Sequence, residues 1–229
     1  MNPEHVLAIL TSLADPGRLA GMARYGIDTS KALGVSIPDL RRTAKELKRH
    51  AEDRHALALG LWDTGVHEAR ILAAMVEDPA ACGEAQMDAW AGDFGSWDLC
   101  DQCCLNLFAL HPAAWDKVAA WSDRQEEFVR RAAFALAACL AVKAKKAPDA
   151  AFARILPLCE QASADPRNYV KKAVSWALRQ TGKRNRALNA MAIQTAERIA
   201  TQDEPAARWI ARDVLKELND PAVLARIKG

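Results

Sequence analysis

Trp97 and Asp101 stand four residues apart in the run 92–104, GDFGSWDLCDQCC. In a helix, residues at that spacing share a face. A carboxylate beside an indole face receives a cationic ring through cation–π attraction plus charge. The same pair can stabilise an oxocarbenium ion as a glycosidic bond breaks, with the carboxylate orienting a water. Gly95 and Ser96 precede the tryptophan, which makes Ser96 the expected N-cap. Asp98 in the first turn would complement the positive helix end. Taken alone, the spacing favours the plainer account of a capped helix with one buried indole and a solvated aspartate.

Other chemistry-bearing residues offer less. Cys100, Cys103 and Cys104 contain a CxxC, but there is no second pair and no histidine at zinc spacing, so no metal site is expected. His50 and His55 are five residues apart and share no helical face. Phosphate-binding, serine-hydrolase and zinc-protease motifs are all missing, and no cofactor is expected. Seven tryptophans against two tyrosines is a skewed use of aromatic surface. Trp62, Trp90, Trp115 and Trp121 lie in apolar-periodic helices and are expected in the core. Trp176 shares its segment with Lys171 and Lys172 and could supply a second aromatic wall.

The net charge of +2 requires no polyanionic partner by itself, so the distribution of cations matters more. From Arg167 to Arg186 come Arg167, Lys171, Lys172, Arg179, Lys183, Arg184 and Arg186, with no acid among them. Further clusters occupy 41–54 and 143–146. At equivalent positions of a repeat, Arg130/Arg131 and Lys171/Lys172 would form neighbouring rungs of a positive stripe able to neutralise successive phosphates. Solvated helix faces are the plain alternative.

The elements that must carry these residues are helical. Apolar residues recur at i, i+3, i+4 and i+7, and no alternating strand segment appears. Helices are predicted over 3–14, 16–32, 38–50, 53–62, 67–77, 80–91, 97–108, 112–122, 126–141, 149–161, 167–180, 185–200, 204–217 and 220–227. Phe128-Val-Arg-Arg-Ala-Ala returns as Tyr169-Val-Lys-Lys-Ala-Val, and a looser echo starts at Arg208. A period of about 40 residues with two helices per unit is the mark of HEAT-type repeats. The expected fold is therefore all-α: a HEAT-like helical-repeat solenoid with a concave basic groove, forming a single domain over 1–229. With 51% hydrophobic and 26% charged residues, a disordered chain is excluded. No run approaches the roughly 20 apolar residues of a membrane span. The opening MNPEHVLAILTSL lacks the lysines of a secretory leader. Cysteines among apolar neighbours suit a reducing compartment, so a cytoplasmic protein is expected.

Four stretches together resemble the AlkD-type DNA alkylation-repair glycosylases, a family of HEAT-like repeat proteins. They are GVSIPDLRRTAKEL at 34–47, SWDLCD at 96–101, FVRRAAFALA at 128–137 and YVKKAVSWALRQTGKRN at 169–185. The resemblance implies hydrolysis of the N-glycosidic bond of positively charged N3- and N7-alkylated purines in double-stranded DNA, by a metal-free monomer. It further implies that Asp101 is the catalytic carboxylate, with Trp97 and Arg131 beside it, and that Trp176 contacts the DNA. A cationic base is already a good leaving group, so neither a general acid nor a deep base pocket is implied. Arg131 would hold a phosphate. Arg130, Lys171, Lys172, Arg179, Lys183 and Arg184 would line the DNA face. The segment 21–33 does not follow the family pattern; Tyr25 within it stands as a further candidate DNA contact. The rival expectation is a non-catalytic DNA-binding or protein-scaffold repeat module.

Overall fold

The computed structural model describes residues 2–227, and their regular structure is entirely helical. The chain divides into two compact units, 1–111 and 112–229.

The first unit contains α1 (Pro3–Ser12), α2 (Leu19–Arg24), α3 (Ile37–His50), α4 (Arg54–Asp63), α5 (His67–Val76), α6 (Glu84–Gly92) and α7 (Trp97–Asn106). Several begin where a short polar side chain takes up an unpaired amide. Asn2 accepts from His5 N, Ser36 from Asp39 N and Asp53 from Ala56 N. α5 is the hub: it packs against α3, α4 and α7, and from Ile71 to Val76 every residue is buried. The indoles of Trp62 and Trp90 stack at 4.0 Å and join α4 to α6.

The second unit contains α8 (Ala114–Trp121), α9 (Glu127–Lys143), α10 (Asp149–Ala153), α11 (Ile155–Ala162), α12 (Asn168–Gly182), α13 (Arg186–Ala200), α14 (Pro205–Leu218) and α15 (Pro221–Leu224). α8 pairs with α9, α11 with α12 and α13 with α14. Laterally, α9, α12 and α14 form one layer, while α8, α11 and α13 form the other. This is the two-layer stacking that the repeat period predicts. α9 is buried on all sides from Arg131 to Ala141, as a helix clad by neighbours must be. It packs against α12, and the buried alanines of α9, with Ala173 and Ala177 of α12, are small enough to permit a close approach of the two backbones.

Several predicted helices are corrected. The stretch 16–32 is helical only through a short 3-10 turn (Pro16–Arg18) and α2; residues 25–36 are irregular. Gly26 adopts φ 77°, and Asp28 takes Ser30 N in a side-chain turn at 2.9 Å, both of which end a helix. Gly34 has φ 78°, and a Cβ there would lie 2.2 Å from the Asp15 carbonyl oxygen. The stretch 149–161 breaks between α10 and α11 because Pro157 has no N–H to give to the Ala153 carbonyl. α7 also stops at Asn106, ahead of a 3-10 turn at Phe108–Leu110, and the last helix is shortened to α15.

Gly182 is closely packed between neighbouring helices. A Cβ there would lie 2.5 Å from Leu218 Cδ1 and 3.1 Å from Ala192 Cβ, and both neighbours are fully buried. Alanine gains at most about 1 kcal/mol of helix propensity, less at a helix end. Overpacking costs about 1–3 kcal/mol where neighbours cannot withdraw. Gly182→Ala is therefore expected to lower the urea midpoint, by a net destabilisation of about 1–2 kcal/mol. A midpoint at or above wild type would show that Leu218 yields.

Candidate nucleic-acid interface

The first turn of α7 is held by more than a cap. Ser96 occupies the N-cap position, but its hydroxyl caps no amide; it donates instead to Asp98 Oδ1 at 2.7 Å. Asp98 Oδ2 lies 2.8 Å from His67 Nε2, at the first residue of α5. Asp98 thus ties two helix starts together in addition to complementing a dipole. The Trp97 indole Nε1–H donates to the Tyr25 carbonyl at 3.0 Å. The Tyr25 ring itself is 69% exposed.

The irregular segment that supplies this carbonyl is itself pinned. Asp15 N donates to Leu33 O at 3.0 Å and His67 N to Lys31 O at 2.9 Å. Leu33 N and Gly34 N donate to the buried Glu68 carboxylate at 2.8 and 2.7 Å. A buried carboxylate is tolerated only with such donors. The segment therefore forms a strap between α5 and Trp97. One turn beyond Trp97, Asp101 is likewise half-buried, whereas Leu99, Cys100, Cys103 and Cys104 are fully inside. α7 keeps the pair on its partly exposed arc and turns the cysteines to the core, as their apolar context predicts. Beside the helix start lies a cavity of about 280 Å³ lined by Asp28, Lys31, His67, Arg70, Asp93 and Ser96. Among the described residues no cluster of ligands suited to a metal ion occurs.

In the second unit the cations of the predicted stripe divide into two kinds. Arg130 donates to the Ser122 carbonyl and to Asp165, at 2.9 and 3.1 Å, and Arg167 pairs with the same aspartate at 2.6 Å. Arg131, only 6% exposed, donates through Nη1 to the Tyr169 carbonyl at 2.8 Å, which joins α9 to α12. Arg179 and Lys183 both pair with Glu217, the lysine at 2.6 Å, and Arg179 also lies 3.4 Å from Asp213. Arg184 donates to the Ala141 and Ala144 carbonyls at the end of α9 and lies over the Phe152 ring at 3.8 Å. The acids that match this charge stand on α14 and before α12, outside or between the basic runs, and sequence spacing did not reveal them. Among the described residues, Lys171 and Lys172 have no carboxylate within ion-pair distance. Lys172 is exposed, and Lys171 Nζ lies 5.2 Å from the Trp209 ring centroid. Trp176 is half-buried, and its indole N–H meets the Gln180 side-chain oxygen at 3.2 Å when that amide is turned toward it.

Burial disfavours the charged imidazole of His67, but the hydrogen bond and charge of Asp98, with Glu68 and Asp28 behind, raise its pKa overall. Burial likewise pushes Asp98 up, yet His67, Ser96 and the Leu99 amide hold it below its ordinary value. The histidine contribution to stability is complete below about pH 6.5 and is lost as pH rises through the higher folded value. The aspartate contribution is complete above about pH 3.9 and is lost as pH falls through its lower folded value. Urea unfolding from pH 4 to 9 is expected to show wild-type stability declining on the alkaline side. His67→Gln should lack that decline and be less stable at pH 6 by about 1–3 kcal/mol. An unchanged pH profile in the variant would remove His67 from this role.

Comparison with known proteins agrees with this architecture. Among curated proteins no sequence match was found. A solved structure superposes with a TM-score of 0.77 at 17% identity, covering 100% of this chain and 97% of the other. That protein is described as a new family of proteins related to the HEAT-like repeat DNA glycosylases with affinity for branched DNA structures. The likeness establishes the all-α HEAT-like fold. The profile of the family described as DNA alkylation repair enzyme matches residues 6–219, nearly the whole chain, and the protein belongs to that family.

Proposed function

We propose that this protein is a DNA glycosylase that hydrolyses the N-glycosidic bond of positively charged N3- and N7-alkylated purines in duplex DNA. The observation that carries the reading is the Trp97–Asp101 pair on the partly exposed arc of α7, in a first turn braced by Tyr25, Ser96 and His67. In the reaction the bond from the sugar C1′ to the base nitrogen breaks. Its electron pair goes to the base and cancels the lesion's charge, while positive charge develops on the sugar. The Asp101 carboxylate faces that charge and orients a water, whose oxygen bonds to C1′ and whose proton is released. The indole of Trp97 lies along the cationic centre. Arg131, buried and held by the Tyr169 carbonyl, braces the start of α12 and is not the phosphate contact that the resemblance implied. Trp176 adjoins the deoxyribose, and Lys171, Lys172 and the Tyr25 ring serve the DNA backbone. Arg130, Arg179, Lys183 and Arg184 are set by their acid and carbonyl partners to shape that face more than to neutralise phosphates. In this reading 1–229 act as one repeat domain, as a monomer in the cytoplasm and without a cofactor.

The rival is a binding module without catalysis, which the structural neighbour's affinity for branched DNA favours. Base release from duplex DNA carrying 7-methylguanine separates the two. Wild type is expected to release the base, and Asp101→Asn to be slower by about 10²–10³-fold while still binding DNA. No release above background by wild type would leave only the binding module. In a second measurement, Lys171→Ala with Lys172→Ala is expected to weaken binding irrespective of sequence and to flatten the salt dependence by about two units of slope. An unchanged slope would take both lysines off the DNA face.

A further inference from the structure

In the second unit a cavity of about 720 Å³ lies beside the start of α14, and its cations pair with no carboxylate among the described residues. Lys171, Arg208 and Arg212 surround it, with Glu204 as the single acid. Among the described residues none of the three cations has a carboxylate within ion-pair distance, in contrast to Arg130, Arg167, Arg179 and Lys183 nearby. Repeat register explains their grouping. Arg208 begins the third occurrence of the motif and stands at the position of Lys171 in the next helix of the same layer. The cavity wall is not basic throughout: Ala164, Pro166, Pro205 and Ala206 supply an apolar floor, and Trp209 stands half-exposed among them.

We infer that this cavity is a subsite for an unpaired nucleotide of single-stranded DNA, with the base stacked on Trp209 and its flanking phosphates on Lys171, Arg208 and Arg212. The inference rests on the DNA-binding part of the proposed function and not on the glycosylase part. Charge complementarity selects an anion, since three cations against one carboxylate repel a cationic ligand. The indole then selects among anions. A duplex presents phosphates while its base faces are already stacked, so it would make no use of an aromatic and proline-lined floor. An unpaired base has a free π face, and aromatic platforms with a basic rim bind single strands on that principle. The cavity volume falls in the range of about 300–1,000 Å³ typical of small-ligand sites. Lys171 Nζ, now over the ring at 5.2 Å, marks the open face of the indole and would move to the phosphate when a base stacks there.

The experiment is fluorescence anisotropy with an unmodified blunt duplex and the same duplex bearing a six-nucleotide single-stranded extension. Wild type is expected to bind the extended duplex about tenfold tighter, the worth of one stacked base. Trp209→Ala should abolish the preference while leaving blunt-duplex affinity in place, and Trp209→Phe should restore most of it. Arg208→Gln with Arg212→Gln should reduce the preference and its salt dependence. Equal wild-type affinity for both DNAs overturns the inference while leaving duplex binding intact; failure to bind either DNA sinks the DNA-binding reading as well. A parallel loss on both DNAs in Trp209→Ala, with no recovery in Trp209→Phe, would assign the indole to packing. Displacement of the extended strand by polyglutamate at equal charge would mean a site for acidic polypeptide, and would also overturn it.

Discussion

No single helix in this protein can bury its apolar stripe alone, and the stacking of helix pairs against their neighbours is the constraint from which the rest follows. In the second unit it makes α9 a helix with no outside from Arg131 to Ala141. Such a helix must be small along its flanks, hence its alanines, and every polar group drawn in with it must find a partner. The guanidinium of Arg131 therefore meets a carbonyl at the start of α12, and Arg184 closes the far end of α9. Gly182 belongs to the same economy of space, since the neighbouring helices leave no room for a methyl group.

The first unit applies the constraint to α5. Because this helix is clad on most sides, the carboxylate of Glu68 and the imidazole of His67 are drawn inside with it. Each is satisfied by a different element: Glu68 by the amides of the irregular strap, His67 by the aspartate that opens α7. The strap in turn gives Trp97 the Tyr25 carbonyl. The partly exposed indole is thus oriented by groups whose own positions are dictated by burial, which fixes its place on a scaffold of small helices.

Electrostatics follows a related division. Cations close to a neighbouring helix are matched by acids from that helix, whereas Lys171, near the start of α12, lies over the Trp209 ring instead. Partly buried pairs such as Arg179–Glu217 stay charged because burial, which pushes Glu217 up, is outweighed by Lys183 and Arg179. Among the described residues of α12 and α14, Lys171, Lys172, Arg208 and Arg212 have no carboxylate within ion-pair distance, whereas Arg179 is matched within the chain.

Period and composition alone determined the all-helical class, the repeat with its two-helix unit, the inward cysteines and the placement of Trp97 and Asp101 on one face of α7. These are legible because they depend on spacings of three, four and about 40 residues, which a helix and its repeat impose on the chain itself. Tertiary structure alone decided the rest. The strap at 25–36 replaced a predicted helix because two left-handed glycines and a side-chain turn outweighed the apolar pattern. His67 met Asp98, and Glu217 met Arg179 and Lys183, across more than 30 residues of sequence with no local pattern to announce them. No local spacing singled out Trp209, which packing sets beside Lys171, Arg208 and Arg212. Such partnerships depend on which helices stack side by side, and that is a property of the packed chain that no local spacing encodes.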